Sequence, residues 1–125
     1  MRTNVFLPLV LKKMLKGDEV EIYGEGKRIQ NYIDVRDIAE AISNIIENKS
    51  QGLYLIAGAK SISNADLVEL CKKITRSSSK IIKGMHVDTE ESDQWIISYR
   101  KAMTAFGYSP QYNLESTIRW ICEGL

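Results

Sequence analysis

The stretch from Val20 to Asn48 restricts the fold more than any other part of the chain. Val20 to Tyr23 is short and apolar enough for a strand, Gly24-Glu25-Gly26 supplies a turn, and Asn31 to Val35 reads as a second extended run. A helix follows, in which Ile38, Ala41, Ile42 and Ile45 recur at i, i+3, i+4 and i+7. Asp34 stands at the N-cap position of that helix, and Asp37 occupies the acidic slot of a capping box three residues on. Strands joined by a tight glycine turn and followed at once by an amphipathic helix point to an α/β fold.

The flanks extend the same grammar. Leu7, Val10, Leu11, Met14 and Leu15 lie at helical spacing, so a helix is expected to begin between Asn4 and Pro8 and to stop at Gly17. Leu53 to Ala57 is an apolar run suited to a buried strand, expected to lie parallel to Asn31–Val35 across a right-handed crossover. Ser63 caps a further helix with Asp66 closing its box and Leu67, Leu70, Cys71 and Ile74 as its buried stripe. Lys80 to Val87 suits a strand, Asp88 to Asp93 an acidic loop, and Trp95 to Ile97 a brief extended piece. Ser98 is expected to cap a short helix ending at Gly107, and Asn113 caps a last one carrying Leu114, Ile118, Ile121, Cys122 and Leu125. The expected architecture is a small single domain of short strands and about four to five helices.

Composition sets outer limits on function. A chain of 125 residues, 44% hydrophobic and 26% charged, can bury one modest core. The net charge of +1 gives no electrostatic footprint for nucleic acid or an anionic membrane. No apolar run reaches the length of a membrane span and no leader pattern opens the chain, so a cytoplasmic protein is expected. Cys71 and Cys122 fall on apolar helix faces and read as small buried hydrophobes rather than as a disulfide or metal ligands.

Several apparent motifs carry no chemistry when their context is considered. Gly24-Glu25-Gly26 lacks the third glycine of a dinucleotide fingerprint, because Ile29 stands there, and no helix opens on it. Tyr23 and Lys27 have the Tyr-x-x-x-Lys spacing of a helical acid/base pair, yet two of the three intervening residues are glycine, so they do not share a helix face. His86, the one histidine, has no orienting acid that the sequence identifies. Glu90, Glu91 and Asp93 lack the pattern of a calcium loop and read as a solvated segment.

Taken together, YGEGKRIQNYIDVRDIAEAI, GLYLIAGAKSISNADLVELCKKI and FGYSPQYNLESTIRW resemble the C-terminal, substrate-binding portion of the NAD-dependent epimerase/dehydratase family, the extended short-chain dehydrogenases that modify sugar nucleotides. The resemblance covers nearly the whole chain. It implies that residues 1–125 form the family's C-terminal domain, with the N-terminal Rossmann domain absent and with it the NAD or NADP site and the catalytic tyrosine and lysine. The chain by itself is then expected to bind no cofactor and to be catalytically inert. Its implied partners are a nucleotide-sugar, held weakly, and the missing Rossmann domain, with no role for nucleic acid or membrane.

The resemblance also nominates substrate contacts. Arg28 and Arg36 offer planar forks of donors for a diphosphate, Tyr32 stands in the segment where the family has Arg-Asp-aromatic, and Asn4 matches an approach to the nucleotide base. The family arginine itself is replaced by Gln30, with Arg28 two residues earlier as its substitute. A second family arginine is lacking between Glu90 and Gln94. The competing expectation is a stand-alone, non-catalytic binding or protein-interaction module on the same fold.

Overall fold

The computed structural model describes residues 5–125. Helix α1 (Phe6–Lys16) buries Leu7, Val10, Leu11 and Met14 as one stripe and ends at Gly17, whose left-handed backbone donates to the Met14 carbonyl. Strand β1 (Val20–Ile22) follows, with Val20 and Ile22 turned into the core. The Gly24–Gly26 turn leads to β2 (Ile29–Asn31), and α2 (Val35–Glu47) comes next, capped by Asp34. Then come β3 (Ser61–Ser63), α3 (Asn64–Thr75) with Ser63 as its cap, β4 (Ile81–Lys83), α4 (Arg100–Phe106) and α5 (Leu114–Glu123) with Asn113 as its cap. The described residues form a small α/β fold with five helices and short strands.

Two small sheets organise it. β1 and β4 pair in parallel, Val20 opposite Ile81, and β2 and β3 pair antiparallel, Ile29 opposite Ser63. The main core lies among α1, β1, α3 and α5, where Leu11, Leu67, Val68, Cys71 and Ile118 are sealed from water. A second cluster joins α2 to α4 through Ala41, Ala102, Phe106 and Tyr108, with Tyr54 edge-on to Phe106 and Tyr99 edge-on to Tyr108.

The strands depart from the expectations above in two ways. The second strand is Ile29–Asn31 rather than Asn31–Val35, and its partner is Ser61–Ser63 in antiparallel register. The run Leu53–Ala57, expected as a buried parallel strand, pairs with no strand among the described residues; Leu53 is 82% exposed and Leu55 61%. Tyr54 and Ile56 pack against the second cluster, so the run keeps a strand's alternation without a ladder. Asp37 also differs from its expected capping-box role. Its buried carboxylate turns inward to accept the backbone N–H groups of Gln111 (2.8 Å) and Tyr112 (3.3 Å), which ties α2 to the segment before α5.

Asn31 fixes the other side of the β2 strand. Its amide both donates to the Gly58 carbonyl (3.1 Å) and accepts from the Gly58 N–H (2.8 Å). A Cβ on Gly58 would stand 1.9 Å from the Tyr32 carbonyl oxygen, so only glycine permits this approach.

Candidate functional site

A cleft of about 260 Å³ opens between α1 and the turn that follows β1. Its apolar wall is Phe6, Leu9 and Val10, and its polar wall includes Arg28, Gln30 and Asn64, with Asp88 at the rim. The local fold explains the meeting of Arg28 and Asn64. The first N–H groups of α3, from Asn64 and Ala65, donate to the carbonyls of Arg28 and Gly26 at 3.0 Å each, which docks the helix start against the turn. Gly26 is required there, since a Cβ would meet the Ala65 methyl at 2.9 Å.

Two polar atoms on residues that line this cleft are buried and lack partners among the described residues. They are Asn64 Oδ1, on a residue only 7% exposed, and Arg28 Nε. Leaving such groups dry and unpaired costs on the order of 1–3 kcal/mol each, so a polar partner that reached them would be favoured. The other edge of the Arg28 guanidinium is paired to Glu90. The Tyr23 ring, which also lines the cleft, lies 5.0 Å from the His86 ring, and His86 Nδ1 meets the Glu21 carboxylate. That is the acidic partner for His86 that the sequence leaves unidentified.

The remaining nominated residues are dispersed. Tyr32 lines a different cleft, with Lys60, Ile62, Leu70 and Thr117, and its hydroxyl donates to Gln30 Oε1 at 3.0 Å. Burial pushes its pKa up to about 12. Arg36 is gripped by Asp34, Nε to Oδ1 at 2.9 Å and Nη2 to Oδ2 at 2.8 Å. Its guanidinium lies between the rings of Tyr112 (3.7 Å) and Trp120 (4.4 Å). Those hydrogen bonds hold the Asp34 carboxyl well below the usual carboxylate range and raise Arg36 above its ordinary value. Asn4 lies outside the described residues. The structure thus brings Arg28 to the cleft and places Tyr32 and Arg36 elsewhere. Asn64, which sequence reasoning passes over as a helix residue behind a serine cap, joins Arg28 there.

Comparison with known proteins places this arrangement. Residues 2–57 match the model of the family described as NAD dependent epimerase/dehydratase. The dTDP-glucose 4,6-dehydratase 1 of Escherichia coli is 30% identical over 121 residues, an alignment that covers 90% of this chain and 34% of that protein. The chain belongs to the NAD-dependent epimerase/dehydratase family. It spans about a third of the length of the curated relatives it matches first. Among solved structures, the UDP-glucuronic acid 4-epimerase of Bacillus cereus in complex with UDP-glucuronic acid and NAD superposes with a TM-score of 0.84 at 21% identity, covering 98% of this chain and 40% of that one. The UDP-glucose 4-epimerase of Thermotoga maritima with UDP-glucose gives 0.81 at 24%, covering 94% and 38%. Both likenesses establish the fold.

The family's cofactor can be tested against the glycine turn. A dinucleotide cradle needs a glycine turn that opens on a helix N-terminus. Here the turn opens on β2, and Ile29, at the place of the third glycine, is held in the ladder opposite Ser63. The turn does not fit NAD. Tyr23 and Lys27 flank it without sharing a helix. Both cysteines are free, Cys71 buried and pushed up to about 12 by that burial, and no cluster of three metal-ligating side chains occurs among the described residues. No helix among them is long and apolar enough to cross a membrane.

Proposed function

We propose that these residues form the nucleotide-sugar-holding part of an NAD-dependent epimerase or dehydratase and work with a cofactor-binding domain that lies outside residues 1–125. The observation that carries the reading is that Asn64 and Arg28, each with a polar atom unpartnered among the described residues, line one cleft with an apolar wall. An amide acceptor suits the N–H edge of a nucleobase, and a guanidinium suits a diphosphate. Relatives of the chain are sugar-nucleotide dehydratases, and structures of its fold hold UDP-sugars.

Leu53–Ala57 supports the second half of the reading. None of its backbone N–H groups donates within the described residues; the only bonds to its backbone are from side chains, Lys101 Nζ to the Leu53 carbonyl and the Tyr108 hydroxyl to that of Ala57. A strand with one face seated, the other face apolar and its ladder unfilled suits the edge of a neighbouring sheet. The sugar's hydride chemistry belongs to NAD in that neighbouring domain, and the part of this chain is to bind and orient.

Titration of the chain with UDP and with dTDP, followed by NMR, tests the reading. Saturable shifts of the Asn64 side-chain amide are expected with weak affinity, because the cleft is one wall of the proposed site. Asn64→Ala should weaken binding by about tenfold, the worth of one well-placed hydrogen bond. Nucleotides that shift no residue of the cleft would overturn it.

A further inference from the structure

The acidic segment between β4 and α4 does more than link them. Its ends are tied to the glycine turn and β2: Gly24 N–H donates to the His86 carbonyl (2.8 Å), Ile29 N–H to that of Asp93 (2.9 Å), and Trp95 N–H to that of Ile29 (3.0 Å). Between those ties two carboxylates reach back across the turn. Glu91 Oε1 accepts from the backbone N–H of Glu25 (2.5 Å) and of Lys27 (3.4 Å), and Glu90 pairs with Arg28. A Cβ on Gly24 would stand 2.6 Å from the Glu91 carboxylate, so the turn is shaped to that anion. Asp88, at the head of the segment, stands at the cleft rim and bonds the Glu90 N–H (3.0 Å).

A guanidinium and adjacent turn N–H groups are the donors that bind a diphosphate. Here both are filled from within, each by a carboxylate from neighbouring positions of one segment. We propose that residues 88–93 are an internal strap in which Glu90 and Glu91 occupy the positions of the two phosphates and must be displaced for a nucleoside diphosphate to bind. This rests on the nucleotide-sugar reading of the cleft. Beyond the backbone tie at Asp93, the strap is held by its carboxylates rather than by packing. Its neighbours Met85 and Val87 are exposed, and Glu90 itself is more than half exposed, so lifting it uncovers little apolar surface. It also explains why the segment carries carboxylates where the family pattern has an arginine. A cofactor-binding domain that draws the strap aside would couple its own docking to substrate entry.

The test compares inorganic pyrophosphate and UDP binding, by calorimetry, to the wild type, Glu90→Gln/Glu91→Gln and Asp93→Asn. Asp93 contributes only its backbone to the ties, so its variant reports the general effect of lost negative charge. The double variant is expected to bind both ligands at least tenfold more tightly than the wild type, and Asp93→Asn to change either by less than about twofold. Unchanged pyrophosphate affinity in the double variant overturns the strap, as does an Asp93→Asn gain matching half of the double variant's on a logarithmic scale. A gain for pyrophosphate with UDP bound no more tightly than pyrophosphate upholds the strap and removes the nucleotide reading instead. Thermal melts of the variants confirm that each is folded before it is compared.

Discussion

Asp34 accepts four hydrogen bonds while its side chain is closed off from water: from the Arg36 N–H, Nε and Nη2, and from the Thr117 hydroxyl at 2.7 Å. One carboxylate therefore caps α2, orients Arg36 between two rings and ties α5 to α2. Such a group stays ionised far below the usual carboxylate range, and the sign of its effect on stability follows. Its contribution is complete above the unfolded-state value near pH 4 and is lost as pH falls toward its lower folded-state value. Asp34→Ala is expected to destabilise the fold by about 2 kcal/mol at pH 7, the loss of a cap and of buried charge-assisted bonds. Urea melts should show the gap to the wild type narrowing between pH 4 and pH 2; a gap that does not change with pH would mean that the Asp34 charge contributes nothing. At this scale the sequence was legible for the cap and not for the partner. The position of Asp34 before a helix is local, whereas its bond to Thr117 joins residues brought together only by the fold. The same division holds in the cleft, where Arg28 stands out by type and Asn64 becomes visible only when α3 docks on the turn.

Helices were readable because their stripes are local. Gly17 and Gly107 end α1 and α4 where expected, and Ser63, Asp34 and Asn113 cap as read, whereas Tyr99 rather than Ser98 stands at the N-cap of α4. Strands were less so, since a strand is completed by a partner distant in sequence. Leu53–Ala57 shows the failure most clearly: its residues are those of a buried strand, and among the described residues it has no ladder. The amides of 53–57 should accordingly exchange with solvent far faster than those of α3. Leu53→Lys with Leu55→Lys is expected to leave the melting temperature within about 2 °C, because both side chains are already exposed. The same change should abolish association with a cofactor domain supplied from a family relative. Association at unchanged strength, measured by calorimetry, would show that this edge is not the docking element.

At the scale of the molecule, one group of exposed apolar side chains among the described residues is not explained by the core. Val35, Ile42 and Ile46 are exposed on α2 and Leu53 and Leu55 on the run that follows it, while Ala41 and Ile45 of the same helix are engaged in the second cluster. A helix whose apolar arc is wider than the cluster it covers is expected to meet a second surface. In the main core, by contrast, Leu11, Leu67, Val68 and Ile118 are inaccessible and join α1, α3 and α5. The folded chain should therefore bind a hydrophobic dye strongly while retaining a cooperative melt. Ile42→Lys with Ile46→Lys should reduce the dye signal severalfold without lowering stability. Dye binding that appears only on heating would mean that this face is complete by itself, which favours a self-sufficient binding module over a part that docks on a cofactor domain. Strong binding at room temperature, lost in the lysine variant and suppressed by the added domain, would join the open strand edge and the α2 face into one docking surface.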